Sequence, residues 1–379
     1  MNHIAQVIPG LDRIGGAERQ AILLAMGLRQ RGWRVSMVML SGSGGAAARE
    51  LSTAGIDCIT LGMRKGLADP RGWFRFNRWL RHSRPDVVHA HLPHAAWLAR
   101  WSRLAAPVPV LVDTLHSSFP GKAGRHLGYR LSNFLADQVT AVSEAAAGAH
   151  LAVGMVSRDR LIVLPNAVDP EKWRPNPELR AKVRRELGLA NEFLWIAAGR
   201  LEPVKDYPTL LRAMALLPPP ARLAIAGSGV AQAALTALSA QLGLSSRVRF
   251  FGFAPDLERW MQAADAFVLS SLWEGLPTAL MEASACGLPA VATDVPGVSE
   301  VIPDSPLVPP GNPQALAAAM IALMQTPEQA RLAMSLRARQ FAIERFALQS
   351  VLNRWEALYA SLLHHAPNSD ALIGIPSSS

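Results

Sequence analysis

The chain has 379 residues, 50% of them hydrophobic and 18% charged, with a formal net charge of +9. That is enough apolar material for two packed cores and excludes a disordered or collagen-like chain. Two cysteines, Cys58 and Cys286, exclude a disulfide framework and a cysteine-based metal site.

The N-terminal residues lack a basic region followed by a long apolar run, and no stretch approaches the ~18 apolar residues of a membrane span. A soluble cytoplasmic protein is expected. The charge is uneven. Residues 1–165 hold 20 Lys and Arg against 10 Asp and Glu, while residues 166–379 hold 18 against 19. The whole excess sits in the first half, which points that half to an anionic partner.

Taken in order, apolar strand candidates fall at 4–9, 35–40, 58–61, 87–90, 108–114, 139–142 and 161–164. Helical patterns lie between them, as at 17–31 and 143–153. Strand and helix alternating at this spacing predict a parallel, doubly wound sheet. A second series follows at 193–198, 223–226, 248–251, 267–269 and 290–293, so a second domain of the same class is expected. The turn-rich stretch 165–170 is the linker. Two or three helices run from 312 to 365, and the Ser/Pro-rich tail 367–379 reads as disordered.

Glycines, cations and carboxylates recur where these strands end. Open α/β sheets bind ligands at that carboxyl edge. After the first strand, Gly15 and Gly16 open a helix. Gly16 either lets backbone approach a phosphate or sugar, or makes a plain tight turn. The spacing is not that of a dinucleotide fingerprint. His89, His91 and His94 cluster after the fourth strand, as metal ligands or as a polar strand end. His116 follows the fifth strand and is either a substrate contact or a locally bonded histidine.

Residues 64–84 carry seven basic residues and one acid. Trp73, Phe76 and Leu80 share a helical face with Trp79 beside it, and Arg71, Arg75, Arg78 and Arg81 occupy much of the rest. The pattern suits either an anionic membrane surface or a sheet-covering helix. Nucleic acid is not favoured, because no basic stripe or binding motif accompanies it.

In the second half, Arg200 and Lys205 follow a strand as a candidate diphosphate clamp. Gly227 and Gly229 end the next strand. Arg249 and Phe251 lie on a strand and loop where a base could stack or meet backbone. Then Glu274-Gly275-Leu276-Pro277-Thr278 turns from a strand into a helix starting near Pro277, with Glu282 inside it. The two glutamates are either ligand contacts or solvated helix-face charges. No Asp-x-Asp occurs, so a metal-bridged diphosphate is not suggested.

Together these motifs resemble the retaining GT-B glycosyltransferases of family 4, from about residue 4 to about residue 362. The resemblance implies two Rossmann-like domains facing across a cleft. Residues 1–167 would form the acceptor side and 168–347 the nucleotide-sugar donor domain, with 348–366 a helix crossing back to the first. It implies that Arg200 and Lys205 grip the diphosphate, Glu274 the donor sugar and Glu282 the ribose. Backbone at Gly275, Leu276, Pro277 and Thr278 would contact sugar and phosphate. Gly16 would approach the diphosphate and His116 the transferred sugar. The partners implied are a nucleotide sugar and a glycan or lipid-linked acceptor, at the inner membrane face, with no metal or other cofactor. Two departures stand out: Ala167 replaces a glycine in the linker, and Pro296-Gly297 replaces a glycine pair. A sugar-nucleotide epimerase and a catalytically silent sugar-nucleotide binder are the alternatives.

Overall fold

The computed structural model describes residues 2–64, 69–119, 121 and 123–365. The tail expected to be disordered lies outside them. The chain forms two compact units, residues 1–167 with 348–379, and residues 168–347.

The first unit holds seven parallel strands: β1 His3–Ile8, β2 Arg34–Met39, β3 Asp57–Thr60, β4 Val87–His91, β5 Val110–Leu115, β6 Gln138–Ala141 and β7 Leu161–Val163. Their order in the sheet is β3-β2-β1-β4-β5-β6-β7. The second unit holds β8 Phe193–Ala198, β9 Ala221–Ala226, β10 Val248–Gly252, β11 Ala266–Leu269, β12 Ala290–Thr293 and β13 Leu307–Val308. Their order is β10-β9-β8-β11-β12-β13. Both sheets therefore reverse strand order once, between β1 and β4 and between β8 and β11, which is the doubly wound arrangement. Each strand expected from sequence is present within two residues of its predicted bounds. The two-residue β13 is additional, and it is too short to leave a periodic signal.

The helices connecting these strands are α1 Gly16–Gln30, α2 Gly45–Thr53, α3 Pro70–Ser83, α4 Pro93–Ser102, α5 Ala123–Ser132 and α6 Glu144–Ala152, then α7 Pro177–Glu186, α8 Tyr207–Ala215, α9 Gln232–Gln241, α10 Leu257–Ala263, α11 Thr278–Ala285, α12 Pro313–Gln325, α13 Glu328–Phe346 and α14 Leu348–His365. Helices cover both faces of the first sheet, so its strands read as continuous apolar runs and β1 is buried along its length. One core joins α1, α2 and α14 to the sheet, and the other joins α3 and α4.

α14 belongs to the first unit. Its Val351, Leu352, Trp355 and Tyr359 are buried there. Gly27 of α1 makes room for it, since a Cβ at that position would lie 2.6 Å from Leu352. One core of the second unit packs α8, α9 and α12 against its sheet, and Phe267, Leu280, Met281 and Phe346 are buried outside that cluster. Among the described residues no helix is long and apolar enough to cross a membrane.

At the linker, Ala167 has no left-handed backbone; among the described residues the non-glycine positions of positive φ are Arg84, Leu92 and Asp206. The Gln20 side chain takes hold of this peptide instead. Its amide nitrogen donates to the Ala167 carbonyl at 2.9 Å, and its oxygen accepts from the Ala167 N–H at 2.7 Å. A glycine is therefore not required there.

Candidate active site

In the second unit, the loops after β8 and β11 leave neighbouring strands at the point where strand order reverses. Hydrogen bonds stitch them together. Leu272 N–H donates to Val204 O at 2.8 Å, and Ser270 Oγ to Lys205 O at 2.8 Å. Thr293 Oγ1, from β12, donates to Ser271 O at 2.6 Å. On this frame Lys205 Nζ meets Glu274 Oε1 at 2.5 Å, and Ser271 Oγ donates to the same oxygen at 2.6 Å. Both charged side chains are largely shielded, at 20% and 11% exposure. Sequence put Lys205 and Glu274 at two strand ends, and the fold makes them an ion pair.

Arg200 differs. Its side chain is 59% exposed and, among the described residues, pairs with the carboxylate of Glu202, at 3.0 Å. Such exposed pairs are worth about 1 kcal/mol or less, so little holds it in place. Asp206, which follows Lys205, adopts a left-handed conformation as the N-cap of α8. Tyr207 next to it donates its hydroxyl to Gly199 O at 3.1 Å. Burial, and then the Glu274 charge, push its phenol well above the ordinary range, so it stays a donor.

The glycines of the second unit permit close backbone approach within the protein itself. A Cβ on Gly227 would fall 1.9 Å from Gly199 O, and one on Gly229 would fall 2.4 Å from Leu201 O. Both let the β9 loop press against the backbone that carries Arg200, and Leu201 N–H donates to Ser228 O at 3.0 Å. Gly297 does the same for the glutamate turn: at φ +82°, its Cβ would lie 2.0 Å from Gly275 O. In Pro296-Gly297 the glycine is thus the essential member. Ser271 and Tyr207 are the residues that sequence reading missed. Only the Ser270-Ser271 pair at a strand end gave a signal.

Gly275, Leu276 and Pro277 are buried, Thr278 starts α11 half-buried, and Glu282 is buried within it. Burial removes the reading of Glu282 as a solvated surface charge; its charge helps push the nearby Cys286 thiol up to about 12, with burial the larger cause. Phe251 is stacked on Trp260, with ring centroids 4.1 Å apart, and Arg249 lies over it. The ring expected to stack on a base is already engaged, and Phe253 is the exposed aromatic of that loop.

In the first unit, Gly16 is exposed at the start of α1, where Glu18 accepts from Gly15 N–H at 2.9 Å. Next to it, β4 sends His89 and His91 into the interior. His91 Nδ1 lies 3.0 Å from His116 Nε2. Burial holds His89 and His91 well below the ordinary histidine range and His116 at about 4, so all three rings are neutral at pH 7. His91, Thr114 and His116 line a cavity of ≈20 Å³ together with Asn166 and Trp355. That is room for one water-sized group. Among the described residues no three His, Cys, Asp or Glu side chains gather as metal ligands. His89 and His91 are hydrogen-bonded strand residues instead.

α3 separates into two faces. Phe76 and Leu80 are buried and Trp73 and Trp79 pack against the same core. The two tryptophans are therefore core residues and not a membrane-facing belt. Arg71, Arg75, Arg78 and Arg81 are exposed. Arg75 donates to Leu61 O, and Arg81 to Ala105 O at 2.6 Å.

The chain matches two family models: "Glycosyltransferase Family 4" over residues 14–172 and "Glycosyl transferases group 1" over residues 180–341. It is 30% identical over 293 residues to the D-inositol 3-phosphate glycosyltransferase of Thermobispora bispora, covering 68% of this chain and 67% of that protein. It is 28% identical over 248 residues to the UDP-Gal:alpha-D-GlcNAc-diphosphoundecaprenol alpha-1,3-galactosyltransferase of Escherichia coli, covering 61% and 63%. The chain spans about half to two thirds of the length of the curated relatives it matches. In fold it is similar to Anabaena Alr3699/HepE, solved in complex with UDP and glucose: TM-score 0.84, 24% identity, covering 94% of this chain and 99% of that one.

Proposed function

The chain belongs to the family 4, or group 1, glycosyltransferases of the GT-B fold, and from that premise we propose that it moves a sugar from a nucleotide-sugar donor to a glycan or lipid-linked acceptor, with retention at the anomeric carbon. The observation that carries this reading is the Lys205–Glu274 pair at the reversal point of the second sheet, with the exposed Arg200 on the same loop. Arg200 and Lys205 take the diphosphate and stabilise the charge that grows on it as the sugar leaves. Lys205 keeps donors free to do so while still bonded to Glu274. Glu274 holds the donor sugar, and Glu282 the ribose. Backbone at 275–278 meets sugar and phosphate, and Gly16 and His116 meet the donor from the first unit. The bond from the anomeric carbon to the phosphate oxygen breaks, the acceptor oxygen bonds on the same face, and its proton passes to the phosphate.

No metal is needed in this scheme, because side-chain cations carry the diphosphate charge. A uridine base fits the company the chain keeps: the E. coli relative is named for UDP-Gal, and Alr3699/HepE was solved with UDP. The test is transfer from a panel of UDP sugars to polyprenyl-diphosphate sugar acceptors. Arg200→Ala and Glu274→Ala should each lower kcat/KM at least a hundredfold, with activity unchanged by EDTA. Undiminished transfer in either variant overturns the assignment.

We further propose that the first unit rests on an anionic membrane. The support is a change of location: Phe74 of α3, Trp101 and Leu104 at the end of α4, and Leu127, Leu131 and Phe134 at and after α5 are exposed. These helices neighbour one another and carry the exposed arginines of α3. Leu127→Asp with Leu131→Asp should abolish co-sedimentation with phosphatidylglycerol vesicles. Arg71→Ser with Arg78→Ser should weaken it, and more so at low salt, where screening is least. Equal binding by both variants rules this surface out.

A further inference from the structure

A set of polar side chains runs through the interior of the first unit, and its hydrogen bonds have one direction. At the inner end Thr140 Oγ1 donates to the Asp113 carbonyl at 3.2 Å, a group that can only accept. Its single proton is thereby used, so it accepts from Thr114 Oγ1, 2.7 Å away. Thr114 in turn accepts from His89 Nε2 at 2.6 Å. His89 is neutral with its proton on Nε2, so its Nδ1 accepts from the Tyr359 hydroxyl at 2.8 Å.

The Tyr359 oxygen then offers only lone pairs. The Gln6 side chain faces it, and Gln6 Nε2 has no hydrogen-bond partner among the described residues. Gln6 Oε1 meets His91 Nε2, which leaves the amino group on the side of the Tyr359 oxygen, the group there that can accept from it. The two ends of an amide are told apart by such a network. His91 donates from Nε2, so its Nδ1 accepts from His116 Nε2. His116 is left with its proton on Nε2 and a bare lone pair on Nδ1, which has no partner among the described residues.

We propose that this directional relay fixes His116 as the Nε2–H tautomer, makes its Nδ1 an acceptor for a substrate hydroxyl, and assigns Gln6, His89, His91 and Tyr359 as positioning residues. The role at the substrate rests on the reading above that His116 meets the sugar. A hydroxyl can donate to this nitrogen, whereas a phosphate oxygen or a carbonyl meets it lone pair to lone pair. His116 thus selects a hydroxyl over an anion at that point. The polarity comes partly from α14: Tyr359 stands 270 residues from His89 in the chain. The last helix supplies the hydroxyl that sets the tautomer as well as apolar cover.

The test is ring spectroscopy of the full chain labelled with ¹⁵N-histidine, with His116 assigned among the 10 histidines by loss of its signals in His116→Gln. Long-range ¹H–¹⁵N correlations at pH 7 should show His89, His91 and His116 all as Nε2–H. An Nδ1–H tautomer or an imidazolium at His116 overturns the proposal. Tyr359→Phe removes both the donor to His89 and the oxygen that the Gln6 side chain faces, so a second His116 tautomer should appear, with kcat/KM for transfer down about tenfold. Thr140→Val, which removes the anchor at the other end, should act in the same direction and serves if Tyr359→Phe does not fold. A single unchanged tautomer in a folded variant overturns the relay, since a purely structural role would move stability alone. The wild-type spectra need no turnover. A wrong functional reading would therefore show as the predicted tautomer with transfer unaffected by His116→Gln, a result distinct from failure of the relay.

Discussion

Lys205 and Glu274 show how much a residue's meaning depends on its partner. Each was a lone charge at a strand end in the sequence. Folded, they share a contact of 2.5 Å with little solvent, so removing one leaves the other's charge uncompensated. Lys205→Ala with Glu274→Ala should lower transfer by much less than the sum of the single losses, as read from a double-mutant cycle. The glycines make a second residue-scale point. The empty side of Gly227 is filled by the carbonyl of Gly199, and that of Gly297 by the carbonyl of Gly275. Gly297→Ala should cost at least about 2 kcal/mol in thermal unfolding, because positive φ and a backbone clash act together. An unshifted melting temperature would mean that the glutamate turn is free to move.

At the scale of elements, α4 is held by a buried charge that sequence reading passed over. Arg100 is fully buried. It reaches Asp113 on β5 from Nε at 2.6 Å and from the adjacent guanidinium nitrogen at 2.5 Å. It also donates to Tyr129 O at 3.2 Å and Ser132 Oγ at 2.9 Å, and lies 4.5 Å from the Tyr129 ring centroid. One guanidinium thus ties α4, β5 and α5. Arg100→Leu alone should cost about 3–5 kcal/mol, and Arg100→Leu with Asp113→Leu clearly less, because the second change removes the stranded carboxylate. Denaturant unfolding separates the two outcomes. The amphipathic pattern of α3 was legible, and so was its basic face. Which face met water was not, since a period of 3.6 is the same for a core helix and a surface-binding one.

For the molecule as a whole, the histidine cluster sets an acid limit. His116 is held at about 4 against an ordinary 6.5, and His89 and His91 also lie well below it. Between these values the unfolded chain binds protons that the folded chain refuses, so stability rises with pH across that window. It is fully present above about 6.5 and is lost as pH falls toward about 4. The melting temperature should fall steeply over this range, and His89→Gln should flatten the fall. A slope unchanged by that substitution would place the acid sensitivity elsewhere.

Sequence alone determined the two doubly wound sheets, their strand order class and the strand ends that carry Arg200, Lys205, Glu274 and His116. The reason is that apolar periodicity and turn chemistry are local properties, and a parallel sheet puts every strand-to-helix turn on one edge. Only the tertiary structure decided what those residues touch. The pairing of Lys205 with Glu274 spans 69 positions, and the bond from Tyr359 to His89 spans 270. Contacts at such separations leave no spacing to read. The direction of a hydrogen-bond chain, the burial of Glu282 and the occupant of a glycine's empty side are properties of packing, and packing exists only once distant segments have met.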